Sequence, residues 1–175
     1  MSEYNVSVEG GASVRLLTTG KYCDRDIVVT ATKDPSASAD HEALIQLTTR
    51  IIEEFEIPKE ATYIGASAFN GCAKLKTIKI HDGVTAIKSY AFNACRALEL
   101  KEIPAGIATI EKSAFVLCNA LTETTFKGTP TSIDGAAFDR CTNLVTINVP
   151  WAEGEVANAP WGATNATINY NYTGG

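Results

Sequence analysis

Apolar residues recur along this chain at a fixed step of 23. Ile64 is followed by Ile87, Ile110 and Ile133, Phe69 by Phe92, Phe115 and Phe138, and Leu75 by Leu98, Leu121 and Leu144. An alanine precedes each phenylalanine, at Ala68, Ala91, Ala114 and Ala137, and a cysteine follows three residues later, at Cys72, Cys95, Cys118 and Cys141. Each unit then runs into a β-prone stretch such as Thr77-Ile78-Lys79-Ile80 and a turn such as His81-Asp82-Gly83. A fixed period in the twenties marks a solenoid, because a unit of that size is one coil that cannot bury its apolar side alone. Coils that each add a short strand to a parallel sheet stack about 4.8 Å apart, so equivalent side chains form ladders through the interior.

The pattern also shows where the ladder begins, where it falters and what flanks it. The Ile80 position stays apolar as Ile103, Phe126 and Val149, and Ile57 matches it upstream, so coil-like sequence starts near residue 50. One rung is broken: the Ile78 position becomes Lys101 and Thr124 before returning to Ile147, and a local bulge at Leu100 would restore an inward residue. Residues 4–32 hold the β-prone stretches Tyr4-Asn5-Val6-Ser7-Val8 and Asp26-Ile27-Val28-Val29-Thr30-Ala31 with turn residues between them, predicting a small β unit over 1–32. Residues 33–40 lack large apolar side chains and read as a linker. Asp40 is placed to cap a helix over about 41–54, with Leu44, Leu47, Ile51 and Phe55 on one face, and this helix would cover the first coil of a repeat domain over 41–150. Residues 151–175 would cap the other end, with Trp151 and Trp161 packed against the last coil.

Composition removes several functions. The chain has 175 residues and a formal net charge of −5, which works against counterion-driven binding to nucleic acid or to an anionic membrane. No run of residues is long and apolar enough for a membrane span, and Met1-Ser2-Glu3-Tyr4-Asn5 lacks the basic and apolar regions of a secretory signal, predicting synthesis in the cytosol. Five cysteines stand out against two histidines, His41 and His81. Zinc ligands come in close pairs that converge on one point, whereas a ladder of four sulfurs lies along a line of about 14 Å, three coil spacings. Parallel Cβ directions and a reducing site of synthesis disfavour disulfides, which leaves buried thiols acting as small apolar groups. Cys23 lies outside the ladder and has no assigned role. The acidic run Glu53, Glu54 and Glu56 reads as a solvated helix end, no nucleophile and base accompany it, and Asn165-Ala166-Thr167 reads as a turn despite its sequon. No enzyme activity, cofactor or metal is expected.

The outward positions of the strands are then the natural binding surface. They form one row of Thr77, Leu100, Glu123 and Thr146 and a second of Lys79, Glu102, Thr125 and Asn148. Neither row carries the Tyr, Trp or Arg anchors that usually supply binding energy, so the ligand is not specified.

The string Ile64-Gly65, Ala68-Phe69, Gly71-Cys72 and Leu75, repeated in step, resembles the BspA-type leucine-rich repeat over roughly residues 50–150. That resemblance implies a short right-handed α/β solenoid with a parallel sheet, used for binding or adhesion. Two flanking segments, Gly20-Lys21-Tyr22-Cys23-Asp24-Arg25-Asp26-Ile27-Val28-Val29-Thr30 and Val149-Pro150-Trp151 through Tyr170, resemble parts of tail- and fibre-associated proteins of phages of Gram-positive bacteria. They imply a virion tail protein contacting other virion proteins, with a host protein or cell-surface glycan as target and homo-oligomers as a possible state; the alternative is a bacterial cell-surface adhesin.

Overall fold

The computed structural model describes residues 2–7, 13–18, 27–32, 53–57, 59 and 61–174. Strands β1 (Ser2–Ser7), β2 (Ser13–Thr18) and β3 (Ile27–Thr32) pair antiparallel in that order, within the stretch read as a small β unit. The linker and residues 41–52 of the expected helix lie outside the described residues, as does Cys23.

From residue 61 onward the 23-residue period becomes coils, covering 61–83, 84–106, 107–129 and 130–152. Each coil crosses two parallel sheets. The first holds β5 (Tyr63–Ile64), β7 (Ala86–Ile87), β9 (Thr109–Ile110) and β11 (Ser132–Ile133), with Ile64, Ile87, Ile110 and Ile133 in register. On the second side, β6 (Thr77–Lys79) pairs with β4 (Glu54–Glu56) from the preceding turn, while β8 (Glu102–Ile103), β10 (Glu123–Phe126), β12 (Thr146–Asn148) and β13 (Thr167–Asn169) form a separate sheet. The acidic stretch expected as a helix end is therefore a coil strand: Glu54 starts β4, and buried Phe55 meets Phe69 edge-on at 5.2 Å.

The parallel-sheet solenoid of 23-residue units is as expected, but no described residue is helical, so the side of each coil that an α/β reading gives to helix is built otherwise. This third side of each coil is a run of consecutive turns. Ala68, Asn70 and Cys72 each donate their N–H to the carbonyl three residues back, at Gly65, Ser67 and Phe69. Left-handed residues then stop a helix from propagating, Ser67 and Gly71 in one coil and Tyr90 and Ala94 in the next. The released N–H groups bond sideways instead: Phe69, Phe92 and Phe115 donate to Ala91, Ala114 and Ala137 of the following coil, and Phe138 donates to Trp161 of the cap.

Inside, Phe69, Phe92, Phe115 and Phe138 stack with ring centroids 5.2, 5.2 and 5.0 Å apart and planes within 7°. All four are fully buried. At the C-terminal end Trp151 packs edge-on against Phe126 at 5.2 Å, and Trp161 lies 6.2 Å from Trp151 with its Nε1 donating to Ala157 O, so both tryptophans close the last coil as expected.

The broken rung has two different solutions. Lys101 cannot enter the apolar interior without stripping water from its ammonium, so the backbone bulges: Leu100 turns inward at 5% exposure and Lys101 is exposed. Strand β8 is consequently only two residues long and does not pair with β6, the two coils being joined there by Glu99 N–H to Lys76 O at 2.8 Å. Thr124, one coil later, keeps its inward place with a fully buried hydroxyl that finds no partner among the described residues.

Candidate functional site

The strand side of the coils is the surface on which the sequence placed its candidate residues, and the fold brings most of them together. Registers align Glu102 with Thr125 and Thr125 with Asn148, while Glu123 aligns with Thr146 and Thr146 with Thr167. Thr77, Lys79, Glu102 and Glu123 are exposed, and Thr125 and Thr146 are half-buried. Two of the eight depart from the outward reading. Leu100 faces the core through the bulge, and Asn148 is only 2% exposed. Asn148 is buried because it is the hub of a polar ladder: its Nδ2 donates to Glu123 Oε1 at 2.7 Å and Thr125 Oγ1 at 3.1 Å, and its Oδ1 accepts from Asn169 Nδ2 at 2.8 Å. Satisfied in this way, Asn148 holds the side chains of Glu123 and Thr125 in place.

Charges on this side pair from coil to coil. Lys76 reaches Glu53 at 3.0 Å, Lys79 reaches Glu56 at 3.8 Å and Lys127 reaches Glu102 at 2.9 Å. All of these side chains are roughly half exposed or more, so each pair contributes at most about 1 kcal/mol and can exchange partners at little cost. The sequence reading missed these pairs although it held their signal, since Glu53 with Lys76 and Glu56 with Lys79 are opposite charges one coil step apart. It missed in the same way a cluster beside the other sheet, where Glu111 accepts from Lys88 Nζ at 2.9 Å and from both the N–H and hydroxyl of Ser89. Burial works to raise the Glu111 carboxyl, but the hydrogen bonds from Lys88 and Ser89 outweigh it and hold the group below its ordinary range.

Where β6 and β8 fail to pair, the surface opens into a groove of about 770 Å³. Ile78 and Leu100 contribute to its lining, together with Lys79, Glu99, Lys101 and Glu102. Its lining balances three lysines, with Lys127, against Asp82, Glu99 and Glu102.

The cysteine ladder has a structural answer. Cys95, Cys118 and Cys141 each point Sγ at a carbonyl of the preceding coil, Phe69, Phe92 and Phe115, at 3.0, 3.1 and 3.0 Å. A thiol is small enough for the interior and still donates to the second lone pair of a carbonyl that already accepts a turn N–H, from Cys72, Cys95 or Cys118. Burial raises all three thiols, Cys141 to about 12, so at neutral pH they carry no thiolate with which to attack or ligate.

Comparison with known proteins bears on the repeat and not on the flanks. Residues 47–158 match the family model for the BspA type leucine rich repeat region, in six copies. Among solved structures, a leucine rich repeat protein of T. pallidum is similar at 26% identity and a TM-score of 0.54, over 69% of this chain and 56% of that one. A leucine rich cell surface protein from Faecalibacterium prausnitzii is similar at 20% identity and a TM-score of 0.53, over 80% of this chain and 39% of that one. The chain thus spans about half the length of these structures or less. No curated protein matches it.

Proposed function

Because the chain belongs to the BspA-type leucine-rich repeat family, we propose that it is a non-enzymatic interaction module whose strand face receives a partner protein. The observation that carries this reading is the contrast between inside and outside. The nucleophiles of the ladder are buried and protonated, whereas the strand face presents exposed, exchangeable ion pairs and a preorganised polar ladder centred on Asn148. Charged groups that are already aligned favour a protein partner with matching charges, and the absence of an outward aromatic platform on the strand rows disfavours a sugar. The T. pallidum structure, at 26% identity, supports the same solenoid as the scaffold for such a face.

A photo-crosslinking residue placed at Thr77 or Glu123, and separately at Asn70 or Lys112 away from this face, tests the proposal in the cells or particles that make the protein. Adducts with a protein from the strand-face positions alone are expected. Equal adducts from both sets, or none from the strand face, would refute it.

The setting is a separate proposal. The F. prausnitzii protein is described as a cell surface protein, which favours display on a cell. A place on a virion tail rests on the two flanking resemblances, of which the segment before residue 47 lies outside the matched repeat region. Immunogold labelling of induced cultures separates them: gold on tails supports the virion setting, and gold on cells with bare tails removes it.

A further inference from the structure

The sequence contains a single Asn-Gly dipeptide, Asn70-Gly71, in the first full coil. This pair is chemically labile, because no side chain on the following residue hinders attack of its backbone nitrogen on the asparagine amide. The Gly71 nitrogen attacks Cγ of Asn70, the bond from Cγ to the amide nitrogen Nδ2 breaks and ammonia leaves. Water then opens the resulting succinimide at either carbonyl, giving aspartate or isoaspartate; nothing is oxidised or reduced.

In the stacked solenoid both reacting groups are held by one residue of the next coil. Gly71 N–H donates to Asn93 O at 2.7 Å, and Asn70 Oδ1 accepts from Asn93 Nδ2 at 3.0 Å. Attack requires the Gly71 nitrogen to lose its proton and the Asn70 amide to swing over it, and neither can happen while Asn93 holds them. Asn70 itself is exposed, so water is at hand once the hold is released.

The same junction is the one at which the second side of the solenoid is unpaired. Strand pairs β4 with β6, β8 with β10, β10 with β12 and β12 with β13 are laddered, whereas β6 and β8 are not. Stacked repeats open at their weakest interface, and here that interface covers the labile pair. We propose that Asn70-Gly71 is a conditional deamidation site, locked while the first coil is stacked on the second and released when that junction opens. Isoaspartate would add a backbone methylene between Phe69 and Gly71, whose N–H groups bond to Ala91 and Asn93, so the first coil could not restack in register. The modification is then a one-way record of opening.

Peptide mapping of the whole protein, incubated at mildly alkaline pH with and without denaturant, reads the rate. Deamidation at Asn70 is expected to be at least about tenfold slower in the folded protein than in the unfolded one. Asn93→Ala leaves the Gly71 N–H on the backbone carbonyl of residue 93 but frees the Asn70 amide and removes one bond of the junction, so it should raise the folded rate while keeping it below the unfolded one. The double change Leu100→Thr with Lys101→Ile, which copies Thr77 and Ile78 and removes the cause of the bulge, should slow the folded rate and leave the unfolded rate alone. Equal folded and unfolded rates, or a folded rate unmoved by both sets of variants, would overturn the proposal.

Discussion

At the residue scale, two choices recur for reasons that differ from their first appearance. The cysteines are buried donors, and their consequence is a dependence on alkaline pH. Burial lifts the Cys141 thiol from 9.0 to about 12 and raises those of Cys95 and Cys118 as well, so the folded protein keeps protons that the unfolded one gives up. Stability from these thiols is complete below pH 9 and is lost as pH rises toward 12, by about 1.4 kcal/mol per pH unit for each group. Urea unfolding under reducing conditions should show this fall, and Cys118→Val should make it about a third shallower. The second choice is the left-handed residue before each cysteine, φ 75 at Gly71 but φ 58 at Ala94. Gly71→Ala should destabilise the fold by about 1 kcal/mol and Ala94→Gly should stabilise it by about 0.5 kcal/mol, read as opposite shifts in Tm. The spacing of the cysteines was legible in the sequence. Their hydrogen bonds were not, because the acceptors are backbone carbonyls 26 residues away that only the stacking brings near.

At the element scale, the strands are so short that the turns carry most of the register. Gly106 lies where successive turns close on one another, and a Cβ there would run into the carbonyl oxygen of Asp82. That oxygen belongs to the backbone and cannot swing aside, so Gly106→Ala should cost about 3 kcal/mol, the upper part of the range for overpacking, in chemical unfolding. The two-residue strands of the first sheet were legible as the isoleucine ladder. The helix expected over 41–54, with Leu44, Leu47, Ile51 and Phe55 on one face, can be compared only at its end, where Glu54 and Phe55 lie in strand β4 and Phe55 meets Phe69 edge-on; residues 41–52 lie outside the described ones. A partial coil and an amphipathic helix share that spacing over a few residues, and periodicity alone does not separate them. The bulge at Leu100 was legible as a missing rung, yet its effect on pairing was not, because losing one inward residue removed a whole ladder between β6 and β8.

At the scale of the whole molecule, one continuous interior runs from Phe55 through the phenylalanine ladder to Trp161, so each coil is stabilised by its neighbours. Phe92 sits between two stacked rings, and Phe92→Ala should cost about 3–5 kcal/mol in equilibrium unfolding. Of the eight residues read as two outward rows of the candidate face, six are at least partly exposed, as strand alternation predicts, while Leu100 and Asn148 are buried. Its finer chemistry was hidden, since the burial of Asn148 depends on Asn169 from the cap, outside the 23-residue period. The central claim is that the four periodic cysteines are rungs of this sealed interior, leaving interaction to the outer face. A thiol count on the whole protein with Cys23→Ala, using an aromatic disulfide reagent before and after unfolding, tests it most directly. The account predicts no reactive thiol in the native state and all four of Cys72, Cys95, Cys118 and Cys141 after denaturation; native reaction of any of them at the rate of a free thiol would contradict it.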